Sequence, residues 1–290
     1  MQLTEQQLNH FRAFGFLVFR QLLSPEEVKR FSDEFNAGIE QLRDGEPVDD
    51  PTNAAYHFAF FTNSNTPFIV SLMSDPRFVD VAEQLLDKPV LGVAPEGNFF
   101  VGDTRWHADG RMFSYTGVKF CVYPDPLNST NGALRVIPGS HREPLHQEMD
   151  RARASGISAS DREPGKETQA VFGVTPAEMP AYVFESEPGD VLVFRLPLWH
   201  GAFGGEVHRR QGAICFYEDP RDPETELAIQ EQMRGNHRML RRRMIDDPRV
   251  KDPSAVEYYP PFWRAFDNPK HQRWIRRWAE LGVLDAPADL

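Results

Sequence analysis

From about residue 90 onward, the sequence consists of short runs rich in Val, Phe, Tyr and Ile that are separated by Gly, Pro, Asn and Asp. Runs of this length and composition predict antiparallel strands, and their close succession is typical of a β-sandwich or barrel. The predicted strands cover residues 90–94, 98–102, 117–123, 133–137, 181–185, 190–195 and 212–217. The chain is therefore expected to be mainly β, and its 22 phenylalanines suit the core of such a fold.

Helical spacing flanks the β region on both sides. Near the N-terminus, Thr4 and Ser24 each open a capping box that is followed by apolar residues at helical intervals. A short strand is expected between these two helices at 16–19, and a third helix from Asp75 to about Leu86. Helical spacing returns in the last quarter of the chain. The simplest architecture is one β domain with helical additions at both ends.

The composition argues against several classes of protein. The net charge of −11 opposes binding to a phosphate backbone, so nucleic acid is not expected as a partner. Cys121 and Cys215 lie in apolar runs and are expected to be buried thiols in a reducing compartment. The first residues lack the pattern of a signal peptide, and no apolar run reaches the ~20 residues of a membrane span. We therefore expect a soluble cytoplasmic protein with no membrane partner.

Three histidines are followed two positions later by a carboxylate, a spacing that places both side chains on one face of a strand. His107 and Asp109 follow the strand-like run at 98–102, whereas the pairs that begin at His141 and His146 follow a turn and lie in a polar segment. We expect these last two pairs to be solvated loop residues and the first to be the metal-binding candidate. An Fe(II) site of the two-histidine, one-carboxylate type requires one more histidine.

A second histidine with suitable context is His200, near the end of the strand-like sequence "GDVLVFRLPLWHG". Its alternative role is that of a hydrogen-bonded structural histidine. About ten residues later, Arg209 and Arg210 lead into the apolar run at 212–217. One of these arginines can point into the barrel and pair with a carboxylate in the bidentate manner that a guanidinium favours. The alternative is that both face solvent.

Taken together, these motifs resemble the phytanoyl-CoA dioxygenase family of Fe(II)/2-oxoglutarate-dependent oxygenases. The similarity covers most of the chain up to about residue 218 and starts with the helix, Gly-Phe strand and capped helix of residues 3–31. Four further motifs follow in the family's order: "WHADG" at 106–110, "NGALRVIPGSH" at 131–141, "EPGDVLVF" at 187–194 and "LWHGA" at 198–202.

The resemblance implies a double-stranded β-helix core of the jelly-roll or cupin-like type within a single oxygenase domain over residues 1–290. We expect an N-terminal helical layer at 1–89 and the jelly-roll core at 90–218, with an insertion at 142–176. A C-terminal helical extension is expected at 219–290.

The resemblance also implies the site residues and the cofactors. His107, Asp109 and His200 are expected to bind Fe(II), and 2-oxoglutarate and O2 are expected as co-substrates. An arginine about ten residues past His200 is expected to bind the distal carboxylate of 2-oxoglutarate.

The choice of that arginine depends on the strand face. Arg210 is preferred, because it shares its face with Gly212 and Ile214, and Arg209 is the alternative. The chain also departs from the family at Ala202, where a serine often stands. A co-substrate contact from that hydroxyl is therefore either missing or made by another residue.

The expected reaction is hydroxylation of an aliphatic C–H group of a small-molecule substrate, with release of succinate and CO2. The intact Asp109 favours hydroxylation, because related halogenases have a small residue in its place. The alternatives are desaturation, demethylation or cyclisation at the same site, a catalytically silent jelly-roll protein that binds metal or acts as a scaffold, and a cupin-like metal isomerase or 2-oxoglutarate-independent dioxygenase.

Overall fold

The core of the protein is a pair of antiparallel sheets. The computed structural model describes residues 1–42, 57–100, 102–109, 114–154, 173–205, 209–240 and 259–284. Within these ranges, eleven strands form a seven-stranded and a four-stranded sheet, and helices precede and follow the main β region in the sequence. The predicted fold class, a double-stranded β-helix or jelly-roll core with flanking helices, is confirmed.

The two sheets differ in strand order. Their strands are β1 (Phe16–Phe19), β2 (His57–Phe60), β3 (Val90–Gly92), β4 (Glu96–Phe100), β5 (Thr104–His107), β6 (Gly117–Val122), β7 (Leu134–Val136), β8 (Tyr182–Phe184), β9 (Val191–Arg195), β10 (His200–Ala202) and β11 (Arg209–Glu218). The larger sheet has the order β1-β9-β6-β11-β4-β2, and β3 also pairs with β11. The smaller sheet has the order β5-β10-β7-β8.

Each of the predicted strand runs contains a strand, although the ends differ. The run predicted to begin at residue 212 begins at Arg209, because Arg209, Arg210 and Gln211 pair with β4. The sequence did not predict β2, β5 or β10. These strands have three or four residues, and β5 and β10 carry polar residues and glycine in place of an apolar alternation.

The N-terminal segment covers the outer face of the larger sheet and also contributes β1 and β2 to it. Its helices are α1 (Glu5–Phe14), α2 (Pro25–Leu42), α3 (Pro67–Ser74) and α4 (Val79–Leu86). Both predicted capping boxes are present, at Thr4 and at Ser24. The helix expected to begin at Asp75 begins at Val79, and α3 was not predicted because its apolar residues show no polar face.

The inner side of the larger sheet faces the smaller sheet. Leu192 and Phe194 of β9 lie in one apolar cluster with Leu134 and Val136 of β7 and Phe184 of β8. This cluster fills one part of the space between the sheets, and the remaining part is the cavity described below.

Later helices complete the fold. They are α5 (Leu145–Ala152), α6 (Pro223–Leu240), α7 (Pro261–Arg264) and α8 (Pro269–Glu280). Trp278 of α8 is fully buried and donates its indole N–H to the carbonyl oxygen of Gly92 at 3.0 Å, which ties the C-terminal helices to the larger sheet. The insertion predicted at 142–176 contains α5, and its residues 155–172 lie outside the described ranges. In the part of the chain that the structure describes, none of the helices is both long and apolar enough to span a bilayer.

Candidate metal centre

His107 and His200 lie side by side on neighbouring strands of the smaller sheet. His107 ends β5 and His200 begins β10, and the two residues are direct antiparallel partners with ring centroids 4.1 Å apart. Asp109 follows two residues later, and its backbone N–H donates to the carbonyl oxygen of Leu196 at 3.0 Å. The segment after β5 is thereby attached to the segment before β10, which brings the carboxylate towards both imidazoles.

The donor atoms of these three residues converge. The Oδ1 atom of Asp109 is 3.6 Å from Nε2 of His107, and its Oδ2 atom is 3.8 Å from Nε2 of His200. One ligand atom from each residue lies within 4.8 Å of the others. Within the described ranges, this is the one group of His, Cys, Asp or Glu side chains arranged in this way.

The second nitrogen of each imidazole fixes its tautomer. Nδ1 of His107 is 2.7 Å from the carbonyl oxygen of Arg105, and Nδ1 of His200 is 2.9 Å from that of Leu198. A carbonyl oxygen only accepts, so each Nδ1 carries the proton and donates it. In the neutral ring, Nε2 is then the nitrogen that offers its lone pair to a metal. Two neutral imidazoles and one carboxylate form the donor set that suits mononuclear Fe(II).

The local electrostatics favour the protonation states that ligand binding requires. Burial and the neighbouring His107 lower the pKa of His200 to about 3, so the imidazole is neutral at ordinary pH. Burial opposes the charge on Asp109, but the Lys119 ammonium outweighs burial and holds the pKa of this carboxyl well below its usual range. The aspartate is therefore ionised.

The triad opens onto a cavity of about 580 Å³ between the two sheets. This volume lies within the ~300–1,000 Å³ that small-molecule sites occupy. Polar groups from both sheets and from α6 line it, among them Glu96, Asn98, Thr104, Lys119, Arg209, Gln211, Tyr217, Gln232 and Asn236. The cavity therefore has room for a small co-substrate and a small substrate with hydrogen-bonding groups.

Arg209 lies on the cavity side of β11. Its side chain is buried and donates from Nη1 to the carbonyl oxygen of Gly132 and from Nη2 to the hydroxyl of Thr104, both at 2.8 Å. Burial lowers the pKa of this guanidinium. A carboxylate that entered the cavity would therefore meet a positioned arginine in a partly desolvated place.

The expectation that Arg210 points into the barrel is corrected by the structure. Arg210 forms a bidentate ion pair with Asp125, with nitrogen–oxygen distances of 2.6 and 2.8 Å, and also donates to Ser32 and Asn36 of α2. Arg210 does share its strand face with Gly212, as expected, but that face packs against the N-terminal helices. The opposite face of β11 lines the cavity.

The missing serine has a neighbouring counterpart. Ala202 of β10 pairs directly with Thr104 of β5, and both residues line the cavity. The Thr104 hydroxyl accepts from Arg209. A hydroxyl is thus present beside Arg209. It comes from β5, the strand next to Ala202, where the expected serine is missing.

The other two histidine–carboxylate pairs do not form sites, and the expectation that they are solvated loop residues is wrong for the histidines. His141 and His146 are both buried, and His146 lies in α5. Nδ1 of His146 donates to the carbonyl oxygens of Ser140 and Pro197 at 3.0 and 3.1 Å. Their acidic partners are exposed, so neither pair presents two ligands side by side.

Sequence reasoning missed Lys119 and Glu96, which contact the triad or its neighbourhood. The Lys119 ammonium lies 2.8 Å from Oδ2 of Asp109 and 3.1 Å from Oε1 of Glu96. Burial by itself lowers the pKa of a lysine, but attraction to both carboxylates raises that of Lys119. One signal was available, because a lone lysine interrupts the apolar run "GVKFCVY".

Comparison with known proteins finds a matching family model and relatives named as dioxygenases. The family model described as phytanoyl-CoA dioxygenase (PhyH) matches residues 11–210. An ectoine dioxygenase from Bordetella bronchiseptica is 28% identical over 155 residues, which are 49% of this chain and 50% of that protein. One from Nocardia farcinica is 26% identical over 219 residues, covering 68% of this chain and 71% of that protein. The chain thus spans about half the length of the first of these relatives.

Solved structures share the fold. HygX from Streptomyces hygroscopicus, determined with nickel and 2-oxoglutarate bound, is 20% identical with a TM-score of 0.58 and covers 74% of this chain and 87% of its own. EctD from S. alaskensis with bound Fe is 20% identical with a TM-score of 0.54, covering 75% of this chain and 77% of its own. At these identities the likeness concerns the fold.

Proposed function

The chain belongs to the phytanoyl-CoA dioxygenase family, and on this premise we propose that it is an Fe(II)- and 2-oxoglutarate-dependent oxygenase that hydroxylates an aliphatic C–H group of a small molecule. One observation carries the proposal. Two imidazole Nε2 atoms and an ionised carboxylate converge beside a cavity that also contains a buried arginine. The metal centre and the co-substrate site of such an enzyme require these groups in one space.

His107, Asp109 and His200 would hold the metal. Backbone carbonyl oxygens fix the tautomer and orientation of both imidazoles, so the ligands are arranged before the metal arrives. Three protein ligands leave coordination positions open for other molecules. When bound, Fe(II) together with 2-oxoglutarate and O2 supplies the oxidant that converts C–H to C–OH, with succinate and CO2 as the other products.

Arg209 would bind the distal carboxylate of 2-oxoglutarate. The supporting observations are its burial, its place on the cavity lining and the two acceptors, Gly132 O and Thr104 Oγ1, that hold its guanidinium. A buried guanidinium and a carboxylate form a strong charge-assisted pair, because little water competes for either group. Tyr123 lies on the same lining and helps to exclude water from the pair.

The rest of the cavity would take the organic substrate. Tyr217, Gln232 and Asn236 offer hydroxyl and amide groups from β11 and α6, and Phe60 and Val93 offer apolar surface. A small molecule with hydrogen-bonding groups and an exposed aliphatic carbon fits this lining. Ectoine, which the names of the relatives give as their substrate, is the first compound to test.

The test is a two-step assay on the purified protein. Without oxygen, Fe(II) and 2-oxoglutarate together should produce the weak visible absorption band of chelated iron, and in air, with ascorbate as the reductant, the same mixture should release succinate. His107→Ala and Asp109→Ala should abolish both signals, because each removes a metal ligand.

His10→Ala is the matched control, since His10 is an exposed histidine on α1 and should leave both signals unchanged. Absence of the band and of succinate in the wild-type protein would reject the proposed function. A band without succinate would instead support the catalytically silent metal-binding protein.

A further inference from the structure

Lys119 occupies an unusual position for a lysine. It lies in the middle of β6, flanked by the buried Val118 and Phe120, and its side chain is 15% exposed. Its ammonium lies 2.8 Å from Asp109 Oδ2 and 3.1 Å from Glu96 Oε1. A lysine is rarely found this deep without a partner, and Lys119 has two carboxylates.

The three charges come from different parts of the core. Lys119 of β6 and Glu96 of β4 lie on either side of β11, opposite Cys215 and Ala213 in the strand register, and both point to the inner face of the larger sheet. Asp109 lies in the segment that follows β5 of the other sheet. Lys119 is therefore the ionic link between the larger sheet and the metal-binding carboxylate.

The balance of charges explains why both partners are needed. A lysine beside Asp109 alone would neutralise the carboxylate and would compete with a metal cation for it. Glu96 attracts the same ammonium from a similar distance, so the cluster of Asp109, Lys119 and Glu96 keeps a net charge of one negative unit. Coulomb energies between partly buried charges are large, so removing one member of the cluster changes the interaction between the other two.

We propose that Lys119 and Glu96 are positioning residues of the metal centre, in which Lys119 engages one oxygen of Asp109 while Glu96 restrains Lys119 from neutralising that carboxylate. This inference rests on the proposed metal site at His107, Asp109 and His200. Because Lys119 engages Oδ2, Asp109 offers Oδ1 to the metal and binds it through one oxygen. The remaining coordination positions then stay available to the co-substrate.

Co(II) binding to the apoprotein tests the proposal without any turnover. Glu96→Gln should weaken Co(II) binding by about tenfold or more, the usual effect of losing a group that supports a metal ligand. Lys119 is then paired with Asp109 alone and competes with the metal. Lys119→Met in the Glu96→Gln background should restore Co(II) affinity to within about threefold of wild type, because the competing cation is gone.

Lys119→Met alone provides a second readout. It should not lower Co(II) affinity, because a competing cation is removed, but it should change the visible absorption spectrum of the bound Co(II), since both oxygens of Asp109 become available to the metal. For the same reason, the affinity of the Co(II)-loaded protein for 2-oxoglutarate should fall by about tenfold, while Lys119→Arg should retain the wild-type spectrum.

Glu218→Gln is the matched control, because Glu218 is a buried glutamate of the larger sheet that also pairs with a lysine, Lys88, but does not line the cavity. It should alter thermal stability and leave Co(II) affinity unchanged. If wild-type protein does not bind Co(II), the proposed function itself fails. If wild type binds and Glu96→Gln binds equally well, or if the double variant stays as weak as Glu96→Gln, the positioning role is overturned while the metal site stands.

Discussion

Arg209 and Arg210 are adjacent and chemically identical, yet they have opposite environments. Arg209 is buried on the cavity face of β11, and Arg210 is paired with Asp125 on the helix-covered face. Successive side chains of a strand point to opposite faces, so only one of the two can reach a ligand between the sheets. The same substitution at the two positions therefore separates a binding role from a structural one.

Arg209→Met should raise the 2-oxoglutarate concentration needed for half-saturation by about 30-fold or more, corresponding to ~2 kcal/mol for the loss of a buried charged partner. Fe(II) or Co(II) retention should be unchanged, because Arg209 is not a metal ligand. Arg210→Met should leave the 2-oxoglutarate requirement unchanged and lower stability by about 1 kcal/mol through the loss of a partly exposed ion pair. Titration of 2-oxoglutarate into the metal-loaded variants checks both statements, and equal effects at the two positions would contradict them.

Among the secondary-structure elements, strand β11 connects the cavity lining to the larger sheet. It pairs with β6, β4 and β3 in the larger sheet, carries Arg209, Gln211, Cys215 and Tyr217 on the cavity face, and packs its other face against α2. Both faces are therefore buried. At Gly212 the ring of Phe31 from α2 comes so close that a Cβ atom would collide with it, and Phe31 is itself fully packed.

Gly212→Ala should therefore destabilise the protein by about 1–3 kcal/mol, the range typical of overpacking a core. Gly235→Ala in α6 is the matched control, because the nearest atom to its added Cβ would be 3.9 Å away. That change should stabilise the protein by roughly 0.5–1 kcal/mol, since alanine is the better helix former. Urea unfolding of both variants gives the comparison, and a neutral Gly212→Ala would show that α2 can move away from β11.

In the molecule as a whole, buried neutral histidines make stability depend on pH. Burial lowers the pKa of His141, His237 and His271 to about 4 each, with help from the charge of Arg195 at His141. These histidines lie in different parts of the fold, and none of them lines the cavity. In the unfolded chain each should titrate near its ordinary value of about 6.5.

The free energy of unfolding should be highest above pH 6.5 and should fall as the pH drops from about 6.5 to 4. Over this range the unfolded chain takes up protons that the folded histidines do not, so acid favours unfolding. The fully buried His271 contributes up to about 3 kcal/mol to this loss. Urea unfolding at pH 7.5, 6.0 and 5.0 measures the effect, and His271→Phe should show a smaller fall than wild type. Stability that is constant or rising towards pH 5 would contradict this account.

Much of the fold and part of the site follow from local sequence patterns. The strand runs and the capping boxes predict a β-sandwich or barrel with flanking helices, because strand and helix periodicity depend on near neighbours in the chain. Local patterns also favour the pair His107 and Asp109, whereas the jelly roll and the role of His200 are implied by the family resemblance of the motifs. Contacts that join distant segments leave no such signal, which is why Glu96 was missed and why the burial of His141 and His146 was not anticipated.

The directions of the Arg209 and Arg210 side chains show most clearly what the sequence alone does not determine. Alternation along a strand says that Arg209 and Arg210 point to opposite faces, and the sequence alone carries this information. A polar–apolar alternation in β11 does not show which of its faces points to the interior of the barrel. The reason is that helices bury one face and the cavity occupies the other. Only the packing of α2 against Gly212 and of the smaller sheet across the cavity places Arg209 on the cavity lining and Arg210 against the N-terminal helices.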